Sequence, residues 1–128
     1  MTMKEDEAIR KWLYGDMGKK KRMYIATPVN ARSEATLDLK REAAHRRCVG
    51  LKAVLEIDFP DWEIVTPFDV TRHFGEVVEA EAMGACITLL LTCDAIYLDR
   101  GWTASKGCNL EYRAAKIYGL AIMDHNKM

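Results

Sequence analysis

Residues 95–123 read AIYLDRGWTASKGCNLEYRAAKIYGLAIM, and the fold is decided in this stretch. Two short apolar runs, Ala95–Leu98 and Leu120–Met123, flank a segment with helical periodicity that begins near Ser105. Strands joined through a helix run parallel, because the crossover returns the chain to the same end of the sheet. Neither run alternates apolar with polar residues, so both read as strands covered on two faces.

The same alternation continues toward the N-terminus. MYIATPV (23–29) is the first strand. Ser33 can cap a long helix in which Leu37, Ala44, Cys48, Leu51 and Leu55 recur at helical spacing, and Phe59-Pro60-Asp61 stops it. Trp62–Thr66 makes a second strand closed by Pro67, and a loop through Asp69, Arg72 and His73 leads to a helix over residues 76–92. Right-handed crossovers then predict a small doubly wound α/β domain, flavodoxin- or Rossmann-like, with four to five parallel strands and helices on both faces. Residues 1–18 form a separate amphipathic helix carrying Ile9, Trp12 and Leu13, and residues 19–128 form the single domain.

Composition narrows the function classes. The 128 residues hold 19 basic and 19 acidic side chains, a balance that speaks against a polymeric nucleic acid as partner. Lys19–Arg22, the dense basic cluster, precedes an apolar run and reads as a solvated lead-in. Cys48, Cys86, Cys93 and Cys108 have no CxxC spacing, so no metal is expected and the thiols read as small buried hydrophobes. The absence of a signal peptide and of an apolar run long enough to span a bilayer predicts a cytoplasmic protein with no membrane partner.

Ligands of doubly wound sheets bind beyond the carboxyl ends of the strands. Three loops matter on that rule: Thr27–Ser33, Pro67–Gly75 and Asp99–Gly107. The first, TPVNARS, lacks the glycines of a Walker A or dinucleotide loop, so no nucleotide cofactor is expected. Its free backbone amides and Arg32 can still hold an anion, or it is an ordinary capped turn. In the third loop Asp99 ends a strand, while Gly101 and Gly107 permit close backbone approach. Ser105 can cap the helix or donate to a phosphate, and Trp102 can stack on a base or pack the loop. Asp69 and His73 follow the second strand and can approach the same cleft; His45 and His125 read as surface residues.

Glu111 is the residue out of place. On a wheel started at Ser105, Lys106, Asn109, Arg113 and Lys116 gather on one side, and Leu110, Ala114, Ala115, Ile117 and Tyr118 fill most of the other. Glu111 falls in the apolar arc. A carboxylate there pairs with a buried partner, shifts its pKa upward, faces a cleft, or snorkels out at the helix edge.

MYIATPVNAR (23–32) and TCDAIYLDRGWTASKGCNLEYRAAKIYG (92–119) resemble the nucleoside 2-deoxyribosyltransferase-like superfamily over roughly residues 22–124. The nearest resemblance is to its short bacterial and phage members and to its deoxynucleotide N-hydrolase branch. It implies that Glu111 is the nucleophile that attacks the anomeric carbon of 2-deoxyribose and forms a covalent glycosyl-enzyme. Tyr24 matches a first-strand tyrosine that positions the catalytic groups. Ser105, six residues before Glu111, matches the serine that holds a 5′-phosphate in the hydrolase branch. Thr27, Asn30 and Arg32 correspond to the sugar- and phosphate-binding loop, with Trp102 and Gly107 beside the ligand.

The partner implied is a small-molecule nucleoside or nucleotide, with no cofactor, and the chain is expected to be a homodimer or higher homo-oligomer. Two departures stand out. The family's assisting aspartate, eight residues before Asp94, is replaced by Cys86, so either Asp69, Asp99 or His73 takes over or the chain binds without chemistry. Glu111-Tyr112-Arg113 also stands where the family usually has Glu-Leu-Gly.

Overall fold

The computed structural model describes residues 20–29, 37–71 and 79–127. Among them β1 (Lys21–Ala26), β2 (Trp62–Val65), β3 (Ala95–Leu98) and β4 (Ala121–Asp124) form one parallel sheet in the order β2-β1-β3-β4. The intervening helices are α1 (Leu37–Asp58), a single turn α2 (Phe68–Thr71), α3 (Glu79–Leu90) and α4 (Lys106–Ile117). Short 3-10 turns cover Trp102–Ala104 and His125–Lys127. The expected small doubly wound α/β fold is the one observed. The helix expected over 1–18 and the Ser33 cap lie outside the described residues.

Successive strand residues point to opposite faces, and β1 supplies both cores. Met23 and Ile25 join Ile64, Ala95 and Tyr97 beneath Cys48 and Leu55 of α1. Tyr24 and Ala26 join Val65, Ile96 and Leu98 beneath Cys86 and Leu90 of α3 and Cys108 and Ala115 of α4. This double coverage explains the unbroken apolar runs of β1 and β3, whereas edge strand β4 is not covered as its apolar run predicts, since Ala121 and Ile122 are exposed. All four cysteines are buried and free.

Three local expectations are corrected. The first strand starts at Lys21, so Lys21 and Arg22 belong to the sheet and are not a solvated lead-in. Lys21 Nζ lies 5.6 Å from the centre of the Trp62 ring, and Arg22 reaches Thr92 Oγ1 with Nη1 and approaches Glu63 with Nε. Those partners neutralise or cover the charge that the local run left unexplained.

The supposed loop after β2 contains α2. Thr66-Pro67-Phe68-Asp69 is a capping sequence: the Thr66 N–H donates to Asp69 Oδ2 at 2.8 Å, and Pro67 directly precedes the first helical residue, Phe68. His125 is half-buried rather than a surface residue, its Nδ1 2.8 Å from the Tyr97 hydroxyl. His45, exposed as expected, lies against the Phe68 ring at 5.0 Å.

The topology places the site. Neighbouring strands β1 and β3 lead to helices on opposite faces, α1 and α4, so the switch point of the sheet lies between their carboxyl ends, the place where ligands of such folds bind. The two cores must carry the platform beneath it. Ile96→Ala, at a position with no solvent exposure, is expected to cost about 2–5 kcal/mol in urea unfolding. Ile57→Ala, where 80% of the residue is exposed, is expected to stay within about 0.5 kcal/mol of the parent.

Candidate functional site at the β1–β3 switch point

The chain from β3 into α4 is fixed by its own polar groups. The Asp99 N–H donates to Ala26 O at 3.0 Å, extending the β1–β3 ladder by one bond. Gly101 then adopts φ 80°, a left-handed conformation that turns the chain. The Ser105 Oγ caps α4 by accepting from the Cys108 N–H at 3.2 Å. Asn109 Nδ2 donates back to Thr103 O at 2.9 Å and Ser105 O at 2.8 Å, tying the first helical turn to the loop. Side chains of a helix lean toward its N-terminus, here the carboxyl edge of the sheet.

The buried stripe of α4 is narrower than the apolar arc of the wheel. Cys108, Glu111 and Ala115 are buried, whereas Leu110, Ile117 and Tyr118, expected on the inner face, are exposed. Glu111 therefore stands in the middle of the sheet-facing side, with only 4% of its surface exposed. The hydroxyl of Tyr24, itself fully buried on β1, donates to Glu111 Oε2. Among the described residues Glu111 has no cationic partner. Loss of water pushes its pKa up to about 7, against the downward pull of the Tyr24 hydrogen bond. The carboxyl group is thus poised to change charge near neutrality.

Cys86 lies beside this pair. Burial raises its thiol to about 11, and burial followed by the Glu111 charge holds the Tyr24 hydroxyl well above its ordinary range. Neither neighbour competes with Glu111 for negative charge.

Asp99 has a different fate. It is 1% exposed, and Arg47 of α1 grips it with Nε on Oδ2 at 3.0 Å and Nη2 on Oδ1 at 2.8 Å. The Arg100 N–H adds a third hydrogen bond at 2.8 Å. Glu111 and Asp99 both act electrostatically on the Cys48 and Cys108 thiols, which burial lifts to about 11 and about 12. The two acids lie on opposite helix-covered faces of the sheet. A groove along edge strand β2, lined by Arg22, Lys52, Trp62 and Glu63 among others, does not include them.

Residues 21–124 match the family described as a domain of unknown function, DUF4406. The chain belongs to the DUF4406 family. A comparison with curated proteins finds no match.

In this DUF4406 domain the expected site residues separate into three groups. Tyr24 and Glu111 meet on one face of the sheet, Asp99 pairs with Arg47 on the other, and Thr27 accepts from the Cys48 thiol at 3.3 Å on that second face. Ser105 caps α4, and Gly107 lies in van der Waals range of Met83 Sδ, with 3.5 Å to an added Cβ. Asp69 turns one oxygen into the cap of α2.

Trp102 is 8% exposed; it packs at 4.8 Å on Tyr112 and donates from Nε1 to Asp124 Oδ1 at 3.1 Å. Its ring therefore serves the loop's packing. Asn30, Arg32 and His73 lie outside the described residues. Asp94 is a structural member of the C-terminal motif, because it accepts the Arg22 N–H at 2.9 Å and returns its own N–H to Arg22 O at 2.8 Å.

Sequence reasoning missed Arg47. It sits within the basic run His45-Arg46-Arg47, and only the buried neighbour Cys48 hints that one of these arginines turns inward.

The raised pKa makes folding of this DUF4406 domain pH-dependent. An unfolded glutamate ionises near 4.5, the folded one near 7, so Glu111 contributes stability below about 4.5 that is lost as pH rises through about 7. Unfolding followed between pH 5 and 8 is expected to show this loss, on the order of 3 kcal/mol. Glu111→Gln should flatten that segment of the profile. Tyr24→Phe should move the Glu111 carboxyl titration, read by carbon NMR, to higher pH.

Proposed function

We propose that this DUF4406 protein cleaves or transfers at the N-glycosidic bond of a 2′-deoxynucleoside or its 5′-monophosphate, with Glu111 as the nucleophile. The observation that carries the reading is the Glu111–Tyr24 pair: a buried carboxyl group with no cationic partner among the described residues, its pKa pushed up to about 7 by burial. A carboxylate paired to arginine is a poor nucleophile because its charge is already neutralised. Glu111 is free of that restraint.

The step balances without a cofactor. The Glu111 carboxylate bonds to C1′ while the C1′–N bond breaks, and the base leaves with the electron pair and takes a proton from water. Positive charge builds on the sugar in an oxocarbenium-like transition state, beside the negative oxygens of Glu111. Water, or a second base in the transfer reaction, then attacks C1′ and frees the carboxylate. Tyr24 holds Glu111 Oε2 through its hydroxyl, so it orients the nucleophile. Ser105 and Thr27 stand at the same edge and would line the ligand.

A second reading has its own support. Cys86 lies beside the Tyr24–Glu111 pair, and Asp99 is occupied by Arg47, so among the described residues no unengaged second carboxylate adjoins Glu111. On that basis the protein binds a nucleotide without turning it over.

Incubation with the deoxynucleosides and their 5′-monophosphates, with free base separated by chromatography, distinguishes the two. Base release is expected, rising with pH as Glu111 ionises through about 7. Glu111→Gln should lower it by roughly 10³-fold or more. Release that survives in this variant rules the mechanism out, and calorimetric binding with no release selects the second reading.

A further inference from the structure

The Arg47–Asp99 pair is built in an uneven way. Asp99 is sealed: it is 1% exposed and accepts three hydrogen bonds, two from Arg47 and one from the Arg100 N–H. The Arg47 side chain is 47% exposed. Its Nε and Nη2 serve Asp99, and Nη1 has no partner among the described residues. A guanidinium presents two edges with parallel N–H donors. Asp99 takes one edge, and the other, formed by Nη1 and the second Nη2 hydrogen, has no partner among the described residues.

Position gives this edge its meaning. Asp99 continues the β1–β3 ladder through Ala26 O, and Cys48, next to Arg47, donates to Thr27 just beyond β1. The arginine therefore stands at the carboxyl end of β1 and β3 on the α1 face, opposite the α4 face that carries Glu111. Asp69, the other acid felt at Cys48, has one oxygen committed to the Thr66 N–H. Asp99 holds the flexible arginine side chain in place beforehand, which removes the entropy cost of fixing it when an anion takes the remaining edge.

We infer that Arg47, held by Asp99, binds a phosphoryl group of the ligand through the free edge of its guanidinium. Phosphate oxygens match that edge as bidentate acceptors. Asp99 acts through Arg47 and is a positioning residue. That the phosphoryl group is the 5′-phosphate of a deoxynucleotide rests on the function proposed above; the anion site itself does not.

The test uses the full chain, with inorganic phosphate and a deoxynucleoside 5′-monophosphate as probes, titrated by NMR and calorimetry. The two are expected to compete. Arg47→Met combined with Asp99→Asn leaves no buried charge unpaired and should weaken phosphate binding by about tenfold or more. Arg47→Lys keeps the charge but loses the fork; it should also weaken binding, and it carries the test should the double variant fail to fold. Arg46→Met, at an exposed arginine paired with Glu42, should stay within about twofold.

Unchanged phosphate affinity in the Arg47 variants, or no phosphate binding by the parent, overturns the inference. Arg47-dependent phosphate binding without any base release sustains the anion site and defeats the glycosidic reading. Glu111-dependent base release that is indifferent to Arg47, from nucleoside and monophosphate alike, does the reverse.

Discussion

A carboxyl group removed from water needs a reason to stay folded inside, and for Glu111 the reason is the Tyr24 hydroxyl. Burying an isolated charge is costly enough that the group tends to protonate instead. One hydrogen bond to the ionised form offsets part of that tendency, which leaves the carboxyl balanced between its two states. Tyr24 can reach it only because β1 is an inner strand with both faces covered. The order of the strands, the coverage of the faces and the state of one acid are therefore parts of a single arrangement.

The second buried acid shows how environment divides roles between like groups. Asp99 and Glu111 are equally hidden, yet one is clasped by an arginine and a backbone amide while the other meets a phenol. The clasped acid is held in place by three hydrogen bonds and suits support. The other acid has no cationic partner among the described residues. Exchanging their neighbours would exchange their capacities, with no change in side-chain chemistry.

Much of this was legible in the amino-acid order. Apolar runs without alternation identified the strands, and capping residues such as Ser105 located the helix starts. The misplacement of Glu111 on the wheel pointed to the site because a buried carboxylate breaks a physical rule that local sequence does express. The breadth of the inner face of α4 was not legible. Leu110, Ile117 and Tyr118 are apolar but exposed, since the sheet meets the helix along one thin line through Cys108, Glu111 and Ala115. Arg47 was hidden for a different reason: its partner is 52 positions away in sequence, and no local period encodes such a pairing. Arg22 and Trp102 likewise depend on distant partners, Glu63 and Thr92 for one and Asp124 for the other.

The strands β2, β3 and β4 are only four residues long. At about 3.3 Å per residue such a strand spans roughly 13 Å. The Asp94 clamp on Arg22 at the foot of the sheet and the acids at its head are thus about one strand apart, with no inert middle between them. So shallow a platform leaves no layer of the sheet between its base and its head to absorb a change in packing.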